Sequence, residues 1–155
     1  MVEVEDFLPP ANLRLGMAAE SKAELFEELA AIAAAELVLE PTVVLASLEQ
    51  RERLGTTGIG DGVAIPHARL PGLGRLTGYF IRLKAPIEYD ALDNAPVDLV
   101  FLLLSPEAAS ALQLKALARI ARLLRDPEVS AGLRGEPSPE AVYELLRRKV
   151  PGQAA

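Results

Sequence analysis

Residues Val97 to Leu104 read Val-Asp-Leu-Val-Phe-Leu-Leu-Leu, a nearly unbroken apolar run. It lacks the alternation of a half-exposed strand and is far too short to cross a membrane. It therefore reads as a central strand covered on both faces. A strand buried twice needs a layer of other elements on each side, so the rest of the chain must supply two covering layers.

The flanking sequence supplies helices for those layers. Ser21 reads as a cap, and Leu25, Phe26, Leu29, Ala30, Ile32 and Ala33 recur at three- and four-residue spacing to about Leu37. Pro41 opens a second helix to about Arg51. After the apolar run, a helix is expected from about Ser110 to Leu124, with Leu114, Leu117, Ile120, Ala121 and Leu124 facing inward. Asp126-Pro127 breaks it, and Pro127 to Ala131 is expected to make one short turn. A last helix starts after Ser138-Pro139, and Pro151-Gly152 ends structure. Residues 76–83 form a second strand candidate, Val63-Ala64-Ile65 a short third one, and the segment up to Gly16 a loosely alternating extended piece broken by Pro9 and Pro10. Helices at both ends around several strands give an α/β sandwich. Neither strand order nor direction follows from the pattern.

Composition removes whole classes of chemistry. The 155 residues contain no cysteine and a single histidine, which excludes disulfides, thiolate nucleophiles and the histidine clusters that hold catalytic zinc. No metal site or cofactor is expected. The net charge of −6 argues against non-specific nucleic-acid binding. The acidic start, with Glu3, Glu5 and Asp6, does not resemble a signal peptide, so a cytoplasmic location is expected. One domain over residues 4–150 accounts for the length, with no repeat or linker to divide it.

The one histidine sits in an unusual setting: Thr57-Gly58-Ile59-Gly60-Asp61-Gly62-Val63-Ala64-Ile65-Pro66-His67-Ala68-Arg69. A neutral imidazole is a nucleophile near pH 7, and a phosphoryl group placed on it needs donors and positive charge around it. Thr56 through Gly62 read as a tight turn system. Its glycines 58, 60 and 62 allow backbone N–H groups to converge on phosphate oxygens, and Thr56 and Thr57 add hydroxyl donors. Pro66 stiffens the backbone before His67 and presents the ring at a strand end. Between Gly62 and Ile87 there is no acidic residue, while Arg69, Arg75, Arg82 and Lys84 are basic. The glycines lack the Gly-Lys-Ser/Thr ending of a P-loop and depart from the dinucleotide fingerprint. Asp61 is open to two readings, a turn terminator or a partner contact.

The longer stretch Arg51-Glu52-Arg53-Leu54-Gly55-Thr56-Thr57-Gly58-Ile59-Gly60-Asp61-Gly62-Val63-Ala64-Ile65-Pro66-His67-Ala68-Arg69 resembles the active-site signature of the fructose/mannitol-type (type 2) EIIA domains of the bacterial phosphoenolpyruvate-dependent phosphotransferase system, a group that includes nitrogen-regulatory EIIA proteins. Asn94 to Leu103 and the helix after it continue the resemblance. It implies a single-domain mixed β-sheet flanked by helices. It also implies that His67 takes a phosphoryl group from HPr on Nε2 and passes it to an EIIB domain, and that Arg51 belongs to the active site. Family members commonly carry a second histidine in a His-Leu pair, where this chain has Gln113-Leu114. Glutamine can hydrogen-bond a phosphate or orient His67 but supplies no imidazolium charge.

The sequence thus points to a phosphocarrier. Its catalytic candidates are His67, Arg51 and Gln113, and its phosphate-stabilising candidates are Thr56, Thr57, Gly58, Gly60, Gly62 and Arg69. HPr is the expected donor and EIIB the expected acceptor in sugar transport, with membrane association only through a transporter complex. The alternative is a nitrogen-EIIA-like regulator whose phosphorylation state controls binding to a protein target.

Overall fold

A computed structural model describes residues 2–148. Position 150, where the expected domain ends, and Pro151-Gly152 lie outside the described residues. The sheet strands are β1 (Leu13–Met17), β2 (Gly58–Gly60), β3 (Val63–Ala64), β4 (His67–Leu70), β5 (Thr77–Ile87) and β6 (Val97–Pro106). The helices are α1 (Lys22–Leu37), α2 (Pro41–Arg53), α3 (Ser110–Arg125), α4 (Pro127–Gly135) and α5 (Pro139–Leu146).

The strand order is β1-β5-β6-β3-β2, with β4 also pairing β6. β5 runs antiparallel to β6, while β3 and β4 run parallel to it one after the other along the same side. The sheet is therefore mixed, as the resemblance implied. β6 is the central strand that its apolar run requires. Val100, Leu102 and Leu104 pack with α1 and α2 residues such as Leu25, Leu29, Val44 and Leu48. Leu99, Phe101 and Leu103 pack on the other side with α3, α4 and α5 residues such as Ile120, Leu133 and Val142. All six of these β6 side chains are 0% exposed, which explains why no polar residue occurs from Leu99 to Leu104.

Local signals set the helix ends. The Ser21 hydroxyl accepts the Glu24 backbone N–H at the start of α1, and the Ser138 hydroxyl accepts that of Ala141 at the start of α5. The structure departs from the sequence expectation in several places, one being β4 at His67–Leu70, where no strand was expected. Part of the glycine turn, Gly58–Gly60, is a strand paired antiparallel with β3. The short turn after Asp126 is a nine-residue helix whose N-terminus Asp126 caps through two backbone N–H groups. The opening segment makes two 3-10 turns, Val4–Asp6 and Pro10–Asn12, before β1 starts. In α3, Leu114 is 67% exposed, and the inner face runs through Gln113, Ala116, Ile120, Leu123 and Leu124. The first turn of α3 lies beside an open cleft, so helical spacing puts the glutamine, not the leucine, against the protein.

Candidate functional site

His67 is the first residue of β4, whose one pairing partner among the described strands is β6. Pro66 enables the placement: its carbonyl accepts the Leu103 N–H at 3.0 Å, and it has no N–H of its own to satisfy. The ring's two nitrogens meet different partners. Nδ1 lies 2.8 Å from the Ile65 carbonyl oxygen, and Arg51 Nε donates to Nε2 at 3.1 Å. A carbonyl only accepts and a guanidinium only donates, so the proton belongs on Nδ1 and Nε2 presents its lone pair. Burial pushes the His67 pKa below the usual histidine range. The bond to the Ile65 carbonyl works the other way, the Arg51 charge adds to the lowering, and Glu52 opposes it. The net result is a neutral ring at pH 7 with a fixed tautomer, the form a nucleophilic nitrogen requires.

The cleft over His67 is walled by Ser47, Gln50 and Arg51 of α2 and Leu54 just after it, by Ala68 and Arg69 of β4, and by Glu107 just before α3 and Gln113 in its first turn. Arg51, His67, Arg69 and Gln113 therefore come together from positions far apart in sequence. Arg51 also reaches the Gly55 carbonyl through Nη1 at 2.9 Å, and Arg69 bonds the Ser110 hydroxyl at 2.8 Å. Gln113 is buried to 9% exposure, with its backbone N–H in the helix ladder. Two guanidinium groups, an amide and an unprotonated ring nitrogen facing one open cleft make a place where a dianionic phosphoryl group can be covalently held and neutralised.

The other candidates lie elsewhere. None of Thr56, Thr57, Gly58, Gly60 and Gly62 walls the His67 cleft. The Thr56 hydroxyl accepts the Gly58 N–H, and the Thr57 hydroxyl is held between Glu52 and Tyr89. Close packing is what demands glycine here. A Cβ on Gly58 would come within 2.7 Å of Ala91 Cβ, and one on Gly62, at φ +79°, would come within 2.9 Å of the Asp98 carboxylate. Arg134 closes the hairpin from outside with a forked bond to Asp98 and a bond to the Asp61 carbonyl, and the Asp61 backbone N–H donates to Asp93. Asp61, at φ 56°, is thus a turn residue. Arg82, counted in the basic segment, spends its charge on the Leu133 and Glu136 carbonyls at the end of α4.

Sequence reasoning missed Ser110, Glu52 and Tyr89. Tyr89 lies on a loop with no periodic signal, and Glu52 looks like one more charge among the Glu49–Arg53 group. No helix among the described residues is long and apolar enough to cross a membrane.

The model of the family described as "Phosphoenolpyruvate-dependent sugar phosphotransferase system, EIIA 2" matches residues 6–149. A nitrogen regulatory protein of Bradyrhizobium diazoefficiens is 47% identical over 143 residues, covering 92% of this chain and 94% of that protein. One from Pseudomonas aeruginosa is 40% identical over 147 residues, covering 94% and 96%. The crystal structure of nitrogen regulatory protein IIA-Ntr from Neisseria meningitidis superposes with a TM-score of 0.88 at 38% identity, covering 92% of this chain and 98% of that one. The chain belongs to the EIIA type 2 family of the phosphoenolpyruvate-dependent sugar phosphotransferase system.

Proposed function

We propose that this protein is a phosphocarrier that takes a phosphoryl group on His67 Nε2 from phospho-HPr, and that its phosphorylation state governs binding to a protein target. The observation that carries the first half is the ring geometry: a proton fixed on Nδ1 by the Ile65 carbonyl and a lone pair on Nε2 beside Arg51. In the transfer, the P–N bond of the donor breaks as the Nε2–P bond forms, and the donor ring leaves with the electron pair. No proton has to leave His67, because Nε2 carries none, so no general base is needed. What remains is alignment and charge. Arg51 must move off the lone pair for attack, and it is then next to the new phosphoryl oxygens. Arg69 and Gln113 stand on the other walls to donate to the same oxygens.

The regulatory half is supported by the names of relatives 47% and 40% identical over nearly the whole chain, both nitrogen regulatory proteins. Hand-over to an EIIB domain for sugar transport is the second reading, favoured by the sugar system in the family's description. Incubation with phosphoenolpyruvate, enzyme I and HPr should give acid-labile label on the wild type and none on a folded His67→Gln protein. Undiminished labelling of that variant contradicts the acceptor role. Adding sugar-specific EIIB domains separates the two readings: rapid loss of label to EIIB means transport, whereas retained label with a phosphorylation-dependent protein partner means regulation.

A further inference from the structure

Glu52 follows Arg51 in the last turn of α2, and its side chain is only 10% exposed. One carboxylate oxygen accepts the Thr57 backbone N–H at 2.8 Å and pairs with the Lys22 ammonium at 2.8 Å. The other accepts the Thr57 hydroxyl at 2.6 Å. That hydroxyl's single proton goes to the carboxylate, so the Tyr89 hydroxyl, 2.7 Å away, donates to Thr57. The Lys22 ammonium stands 4.4 Å over the Tyr89 ring. The largely covered anion is thus met by three charge-assisted bonds and backed by a second rank of partners.

These bonds enclose residues 53–56, a segment held by hydrogen bonds and not by packing. Leu54 is 84% exposed and Gly55 has no side chain, so apolar burial cannot fix it. Two helix-end backbone bonds, Leu54 N–H to the Arg51 carbonyl and Gly55 N–H to the Glu52 carbonyl, turn the chain, and two side-chain ties fix the turn: Glu52 to Thr57, and Arg51 Nη1 to the Gly55 carbonyl. The same guanidinium reaches His67 through Nε. Arg51 therefore spans the loop and the nucleophile, and its direction depends on where the loop holds the Gly55 carbonyl.

We propose that Glu52 is a positioning residue for transfer at His67: by gripping Thr57 it keeps the 53–56 loop folded back on α2 and so aims Arg51 at His67 Nε2. The proposal rests on the reading of His67 as phosphoryl acceptor. Its side-chain bonds go to Thr57 and Lys22, neither of which walls the cleft, so its effect on transfer runs through the loop, while its charge separately opposes the lowering of the His67 pKa.

The test is a double-variant cycle of transfer rates from phospho-HPr on wild type, Glu52→Ala, Arg51→Ala and the pair. It is read together with the Arg51 Nε–H resonance in unphosphorylated protein. Glu52→Ala should slow transfer roughly ten- to a hundredfold, the range that misplacement of a catalytic group produces. It should also lose the shifted Arg51 Nε–H signal. The double variant should be no slower than Arg51→Ala alone, because a residue acting through Arg51 has nothing left to act on. Glu52→Gln keeps an acceptor for Thr57 and should recover part of both; it carries the test if the alanine variant does not fold. Multiplying rate losses in the double variant, or an unchanged Arg51 resonance without Glu52, overturns the proposal. A wild type that accepts no phosphate defeats the acceptor reading separately, and the resonance still decides whether Glu52 aims Arg51.

Discussion

The two halves of the segment from Gly58 to Arg69 obey different rules. In the first half, Gly58 to Gly62, residue types are set by lack of space: Ala91 crowds Gly58, and Arg134 and Asp98 crowd Gly62. In the second half, Ile65 to Arg69, they are set by chemistry: a carbonyl that fixes a tautomer, a proline that frees an edge, a histidine and an arginine open to a cleft. Both halves look alike as sequence, since glycine-rich turns serve phosphate cradles and tight hairpins equally well. The lesson is that a glycine run beside a candidate nucleophile has two readings until its N–H groups are located, and here none of those glycines walls the His67 cleft. The positive charge at this site comes from α2 and β4 instead.

Substitutions in the glycine half and at Arg51, which reaches His67 in the second half from α2, should separate cleanly. Arg51→Ala should have the largest effect on transfer, about a hundredfold or roughly 2.7 kcal/mol of barrier, the size of losing one preorganised donor at a charged centre, with little change in melting temperature. It also removes one of the influences that lower the His67 pKa, so the midpoint of His67 titration should move up when followed by NMR. In the wild type the lowered pKa means that protonating His67 costs more in the folded than in the unfolded protein. This site's contribution to stability is therefore level above about pH 6.5 and declines as pH falls below it. Equal transfer rates for wild type and Arg51→Ala would blur the distinction between the halves.

Gly58→Ala should do the reverse. Its Cβ would overlap Ala91, whose backbone cannot shift freely, at a cost of about 1–3 kcal/mol in denaturant unfolding. The folded fraction should accept phosphate on His67 at a near-normal rate. A selective loss of transfer with full stability would mean that the hairpin belongs to the phosphate site after all.

The difference between the halves also marks what the sequence could reveal. The twice-covered β6 and the capped starts of α1 and α5 were legible because each depends on local pattern, and His67 stood out because it is the one histidine in the sequence. The packing around the glycines was not legible, because Ala91, Asp98 and Arg134 reach them from a loop, β6 and α4 far along the chain. Glu52 was hidden for the same reason: its partners Lys22 and Thr57 lie on either side of α2, and no spacing rule links them. Leu114 was expected inward with Leu117 and Leu124, but the inner face of α3 starts one residue earlier, at Gln113, which also walls the cleft.

Gln113 should give the smallest effect. Gln113→Ala removes one neutral donor from the cleft, about 1 kcal/mol or roughly fivefold in transfer rate by rapid mixing. Gln113→His should change the phosphohistidine lifetime between pH 5.5 and 8, as an imidazole there would gain or lose charge in about that range. Unchanged rates and lifetimes in both variants would place Gln113 outside the working part of the cleft.

The most direct test of the account is the position of the phosphorus on the ring. Nitrogen-15 and phosphorus-31 NMR of the protein phosphorylated through enzyme I and HPr should show one N–P bond, at His67 Nε2, with the proton retained on Nδ1 against the Ile65 carbonyl. Phosphorus on Nδ1, or on any residue other than His67, would contradict it.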